Sequence, residues 1–210
     1  LYRDTEDDLR VRRSIQLPKY KEKLRLRSYG TPGNDDPVFL EIKKKAGGVV
    51  YKRRVELPHS RAMAYLNGEC PLPEGQIARE IDYMMRRYRL KAKEYLAYDR
   101  VAYRELTQSP ARVRVTVDRD IRSREADMDL RLGDAGRLLL PRDARLMEIK
   151  TAGAYPLWLS RAMAQAQAFP VSFSKIGRVY QRRMEAAPVS PARPAIERSY
   201  APCLRLCLKP

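Results

Sequence analysis

Histidine and cysteine are scarce in this chain: there is one histidine, His59, and three cysteines, Cys70, Cys203 and Cys207, in 210 residues. An odd number of thiols, two of them close to the C-terminal end, implies no disulfide framework. Three cysteines and a single histidine also argue against a structural zinc site. No stretch approaches the roughly 18 uninterrupted apolar residues of a membrane-spanning helix, and no basic-then-apolar leader opens the chain. There is no glycine-rich nucleotide fingerprint, no P-loop and no Ser/His or Cys/His constellation for nucleophilic catalysis. The basic segments lack the interleaved aromatics of a base-stacking surface, so no specific nucleic-acid partner is expected. A cytoplasmic domain is the default expectation.

Positive charge is what the sequence has in excess. Lysine and arginine number 43 against 26 acidic residues, a formal net charge of +17, while 44% apolar content is enough for a core. Such a balance points to phosphate-rich partners without choosing among them. The charge is also patterned. KLRLRSY (23–29), FLEIKKK (39–45), VYKRRV (50–55), RVRVTVD (112–118) and LMEIK (146–150) place charged residues at every second position with aliphatics mainly in between. Successive side chains on a strand point to opposite faces, so each segment predicts a strand with one charged and one apolar face.

The remaining elements follow from local chemistry. Residues 1–16 read as charged and irregular, and TPGNDDP (31–37) as a surface loop. Gly47 and Gly48 suit a tight hairpin turn; a two-residue loop there places Lys43 opposite Lys52 and Glu41 opposite Arg54. Helices are predicted over 60–66, over 76–88 with Ile77, Ile81, Met84 and Tyr88 at helical spacing, from Pro156 with Leu159, Met163, Ala166 and Phe169 on one face, and over 175–183. Further strands are predicted over 93–99, 101–106, 112–121 and 145–151, with a turn or loop over 125–134. The domain is expected to span 1–183, and 184–210, rich in proline and without periodicity, to be a disordered tail. Residue 1 is Leu, and the first residues read as the interior of a fold, so a preceding segment is expected.

Two architectures fit this pattern. A sheet can bury its aliphatic face under helices and leave its charged face in water, or its strands can close into a barrel whose charged face lines the bore. Arg25, Arg27, Lys43, Lys52, Arg54, Arg112 and Arg114 are of one sign, with Glu41 and Glu148 as isolated acids, whereas a merely solvated face intersperses both signs. Crowded guanidinium and ammonium groups call for bound anions, and an isolated carboxylate among them suits a divalent cation that bridges phosphates. This content shifts the balance toward the second architecture, an α+β fold with an antiparallel β-barrel tunnel and helices packed on the outside, while the open sheet stays as the alternative.

LYRDT (1–5), YKEKLRLRSYG (20–30), VFLEIKKKAGGVVYKRRVEL (38–57), ARVRVTVDRDIR (111–122), LMEIK (146–150), PLWL (156–159) and FSKIG (173–177) together resemble the VTC domain, the polyphosphate polymerase domain of the vacuolar transporter chaperone complex, a CYTH-like triphosphate tunnel metalloenzyme. The resemblance implies a basic tunnel that binds ATP and polyphosphate with Mn2+ or Mg2+ and transfers the terminal phosphoryl group of ATP to a growing chain. It implies catalytic roles for Arg25, Arg27, Lys43, Lys52, Arg114 and Glu148, with Glu148 as the metal ligand. It also implies phosphate contacts by Arg54, Arg122, Arg124, Ser174 and Lys175. Ser172 stands where the eukaryotic pattern has another lysine. A tunnel triphosphatase and a non-catalytic polyphosphate-binding module are the alternatives.

Overall fold

The computed structural model describes residues 1–16, 18–106 and 111–186. Eight antiparallel strands and five α-helices follow one another: β1 (Tyr2–Asp4), α1 (Leu9–Ile15), β2 (Tyr20–Arg27), β3 (Pro37–Ala46), β4 (Val49–Pro58), α2 (His59–Asn67), α3 (Gln76–Tyr88), β5 (Lys91–Arg104), β6 (Arg114–Arg124), β7 (Arg137–Leu138), β8 (Leu146–Lys150), α4 (Leu157–Gln165) and α5 (Lys175–Ala186). The mixed α+β class predicted from the sequence holds. The strands form one sheet in the order β4-β3-β2-β1-β5-β6, with β7 and β8 dividing the far edge of β6.

That sheet is open. Among the described residues β4 pairs only with β3, and no strand bridges it to β7 or β8, so the closed barrel expected from the sequence is not formed. The expected tail from residue 187 onward lies outside the described residues, whereas 184–186, assigned to it on sequence, form the last turn of α5.

The β3–β4 hairpin is where local chemistry fixes most. Gly47 and Gly48 adopt φ of 54° and 88°, the two successive positive values that a tight hairpin turn requires and that glycine adopts without steric cost. The turn leaves Ala46 opposite Val49 and so sets Lys43 against Lys52 and Glu41 against Arg54. β2 continues the register, with Lys21, Lys23 and Arg25 opposite Lys45, Lys43 and Glu41.

One face of β2–β4 is apolar and lies under α2 and α3. Leu24, Leu26, Val38, Leu40 and Ile42 pack there with Ala62, Tyr65, Leu66, Ile81 and Met84. Burying side chains of this size stabilises by about 1.5–3 kcal/mol each, so this layer anchors the sheet. Its few charges are matched: Glu80 on α3 pairs with both Lys44 and Arg53, and Glu22 with Arg10 at 2.6 Å.

On β5 and β6 the packing changes sides. Leu96, Tyr98 and Ile121 extend the charged face of β2–β4 by register through β1, yet they join Val179 of α5, Leu139 and Phe173 in a second cluster. α5 therefore lies on the face that was expected to be a uniformly charged bore.

Several expectations are corrected. Residues 1–16 are not irregular: β1 sits in the middle of the sheet, and the Asp4 carboxylate accepts hydrogen bonds from the N–H groups of Arg10 and Val11, capping α1. The strands predicted over 93–99 and 101–106 are one strand, β5, with a bulge opposite Ala97–Asp99. β6 starts at Arg114, after Arg112 with φ 43°. α4 ends at Gln165 and buries only Leu159; Phe169 lies beyond it and is exposed. Gly136, which the sequence did not single out, lies against β6, where an added Cβ would stand 2.7 Å from the Ser123 carbonyl oxygen, closer than any side chain allows.

Candidate functional site

On the face of β2–β4 away from α2 and α3, the register arrays cations in rows across the strands. One row is Lys23, Lys43 and Lys52; the next is Arg25, Glu41 and Arg54; a third pairs Lys21 with Lys45. Adjacent members of a row stand about 4.8 Å apart in backbone terms, and like charges directly opposite one another are destabilising.

Glu41 relieves part of this repulsion. Its carboxylate is buried at 1% exposure, accepts from Arg25 Nε at 2.8 Å and pairs with Lys52 Nζ at 2.7 Å. Burial alone would push its pKa upward, but Lys52 and Arg25 overcome that and hold it below the usual carboxylate range. Arg25 also donates to the Tyr2 hydroxyl at 3.2 Å. The Arg27 and Arg54 guanidinium groups stack on Tyr29 and Phe39, 4.4 Å and 4.3 Å from the ring centroids.

None of Lys21, Lys23, Lys43 and Lys45 forms an ion pair among the described residues. The contrast with the helix-covered face is direct, because there every lysine and arginine of β3 and β4 has Glu80. Lys23 is the most constrained: burial, then the charges of Lys21 and Lys43, bring its pKa down to about 8. Lys21 is lowered too, by burial and by Lys45 and Lys43.

A second polar group lies on the same face of β5, β6 and β8. Asp118 is buried, accepts a fork of bonds from Arg100 at 2.6 and 2.8 Å, and pairs with Lys175 Nζ at 2.5 Å. Burial opposes its ionisation, but these two cations keep its pKa below the ordinary value. Lys175 also sits 4.6 Å from the Tyr98 ring centre. Ser174, one residue earlier, accepts from Lys23 Nζ and from the Gly177 N–H, each at 3.3 Å. Consecutive residues at the start of α5 thus touch β2 on one side and β6 on the other. Arg114 faces Lys150, and Glu148 faces Thr116.

Most of the residues singled out on sequence therefore share one face of the sheet. Arg25, Arg27, Lys43, Lys52 and Arg54 occupy one half, and Arg114, Glu148, Ser174 and Lys175 the other. Arg122 and Arg124 do not join them. The register sets them opposite Ala97 and Tyr95, on the other face. Arg124 stacks on Tyr95 at 3.6 Å and donates to the carbonyls of Asp127, Asp129, Gly133 and Ala135, tying down the segment after β6, while Arg122 pairs with Asp99 and Asp134. The sequence reading missed Lys23, Arg100 and Asp118. Lys23 was visible as the next alternate residue before Arg25, and Asp118 as the acid closing RVRVTVD.

The donors around Glu148 can be compared with what a divalent cation needs. Glu148 is half exposed and pairs with Lys150 at 3.2 Å, and the buried Thr116 Oγ1 across from it has no hydrogen-bond partner among the described residues. Among the described residues no group of three His, Cys, Asp or Glu is placed to hold a metal ion. One open carboxylate and one spare hydroxyl fit a cation that keeps phosphate and water among its ligands, the usual habit of Mg2+, rather than an all-protein cage. No helix among the described residues is long and apolar enough to cross a membrane. A family model described as VTC domain matches residues 1–182, which takes in every strand among the described residues and the first eight of the twelve residues of α5. No curated protein matches the chain.

Proposed function

The chain belongs to the VTC domain family, and on that premise we propose that its cationic sheet face binds a phosphate chain and supports metal-dependent transfer of the terminal phosphoryl group of ATP onto polyphosphate. The family gives the broad frame, polyphosphate chemistry. The observation that supports the finer reading is the uncompensated lysine rows on β2 and β3, beside a helix-covered face on which the same strands' cations are paired.

Phosphoryl transfer asks little covalent chemistry of the protein, because positioning and charge neutralisation carry most of the catalysis. Arg25 and Arg27 present planar forks suited to phosphate oxygens, and Lys43 and Lys52 present point charges on neighbouring strands. Glu41 holds Arg25 and Lys52 in place before substrate arrives, which lowers the entropy lost on binding. Glu148, with Thr116, would hold the divalent cation, which supplies charge neutralisation on the phosphate oxygens. Lys175 and Arg100, braced by Asp118, offer cations at the far side of the face.

Incubation with ATP and Mn2+ is expected to yield ADP and long-chain polyphosphate. Orthophosphate as the sole phosphate product would assign a triphosphatase instead, and tight tripolyphosphate binding without turnover a binding module. Arg27→Ala is expected to weaken ATP binding about tenfold or more, the order of one charge-assisted contact. Its melting temperature should stay nearly unchanged, because among the described residues Arg27 forms no ion pair and its guanidinium stacks on the exposed Tyr29 ring. Unaltered affinity would count against the site.

A further inference from the structure

Lys23 has a position that no other cation of the face shares. It ends the row that runs through Lys43 and Lys52, and it is also the residue of β2 that reaches Ser174, 151 positions away, at the start of α5. Beneath α5 it lines a narrow cleft with Tyr2 and Glu94 on the sheet side and Ile176, Val179 and Tyr180 on the helix side.

The charges around Lys23 explain why the protein does not neutralise it. On its own strand it is flanked by Lys21 and Arg25, and across from it on β3 is Lys43. From β1, Asp4 faces it, but that carboxylate already accepts from Thr5, Arg10 and Val11. Asp8, which also lines the cleft, pairs with Lys93 of β5 and Arg183 of α5, while Arg10 is taken by Glu22. Glu94, the remaining acid there, is itself buried and held largely protonated near neutral pH. An ammonium with cations on three sides and a serine hydroxyl as its only hydrogen-bond partner among the described residues is a charge open to an anionic ligand.

We propose that Lys23 is a further phosphate-chain contact, which grips the bound chain where the lysine row meets Ser174 and joins the sheet half of the site to the start of α5. The proposal rests on the reading of this face as a phosphate-chain site and adds to it the residue that sets its pH response. Burial and neighbouring cations lower the pKa of the free ammonium, and a polyanion beside it raises that pKa again, so binding takes up a proton only above about pH 8. The sign follows: affinity supported by Lys23 is full below about pH 8, where the free protein already carries the proton, and declines as the pH rises above that.

The test is calorimetric titration with tripolyphosphate, without ATP or metal, of the unsubstituted chain, Lys23→Met and Lys23→Arg, compared at the same pH so that the ligand's own ionisation cancels. At pH 7 Lys23→Met is expected to bind about tenfold more weakly, the order of one charged contact, and Lys23→Arg within about threefold of the unsubstituted chain. At pH 9.5 the deficit of Lys23→Met should shrink, and Lys23→Arg, which keeps its charge, should bind more tightly than the unsubstituted chain. Equal affinities of all three at both pH values would overturn the proposal while leaving the phosphate-chain site standing. Absence of tripolyphosphate binding by the unsubstituted chain would overturn both. If Lys23→Met fails to fold, the crossover of Lys23→Arg between the two pH values decides alone.

Discussion

Glu41→Gln is expected to lower the stability of the chain by about 3 kcal/mol, the order found when one partner of a buried ion pair is removed, and to make it unusually responsive to tripolyphosphate. The carboxylate is the one acid in the middle of the lysine and arginine rows, and it binds Arg25 and Lys52 together. Glutamine fills the same space but leaves both cations facing Lys43 and Lys23 without a counter-charge. A bound polyanion supplies that charge from outside, so the variant should gain more from the ligand than the unsubstituted protein does. Thermal melts with and without millimolar tripolyphosphate read both effects. A variant that melts normally, or one whose loss the ligand does not reduce, would show that the rows need no anion.

The same residue predicts an acid response. The pKa values of Glu41 and Asp118 are both depressed in the folded chain, so the stability they contribute is in place above the unfolded-state pKa near 4 and is lost as the pH falls through the folded values. The melting temperature of Glu41→Gln should therefore fall less steeply on acidification.

Glu94→Gln is expected to act in the opposite direction. Glu94 is 2% exposed, one carboxylate oxygen lacks a hydrogen-bond partner among the described residues, and burial together with the charge of Glu125 pushes its pKa up to about 8. An acid whose folded pKa exceeds its unfolded one makes the protein bind more protons when folded. Its ionisation then costs stability as the pH rises from about 4.5 to about 8, by up to about 1.4 kcal/mol for each pH unit in that window. At pH 7–8 the neutral amide should recover about 3 kcal/mol, or roughly 6–12 °C in melting temperature for a chain of this size. At pH 5 the two proteins should melt together. A gain of the same size at both pH values would mean that packing, not ionisation, separates them.

How much of this was legible in sequence depended on whether alternation ran unbroken. The β3–β4 hairpin was readable to the residue, because two glycines fix both the turn and the register, and with it the Lys43–Lys52 and Glu41–Arg54 pairs. α3 was readable because its buried residues recur at helical spacing. β1 and α1 were not: three residues show no alternation, and α1 depends on the Asp4 cap and on packing against α5, contacts that local pattern does not display.

The bulge in the β5–β6 pairing explains the clearest misplacement. Counting by twos from Arg114 would put Arg122 and Arg124 on the same face as Arg114, but Asp120, at φ 47°, inserts one extra residue and reverses the parity beyond it. Arg100 was lost for a related reason. The sequence suggested a break between two strands at that point, whereas β5 runs straight through and carries Arg100 to Asp118. The closed ring was expected from the one-signed charge and from the family resemblance, and a charge pattern does not determine whether the edges of a sheet meet.

The central claim is that the open cationic face of β2–β4 holds the phosphate chain. A crystal structure with tripolyphosphate tests it most directly. The predicted result is phosphate density along Lys23, Lys43 and Lys52, with oxygens within hydrogen-bonding distance of Arg25 or Arg27. Density confined to the exposed Arg79, Arg86 and Arg87 side of α3, on the far side of the sheet, would contradict it.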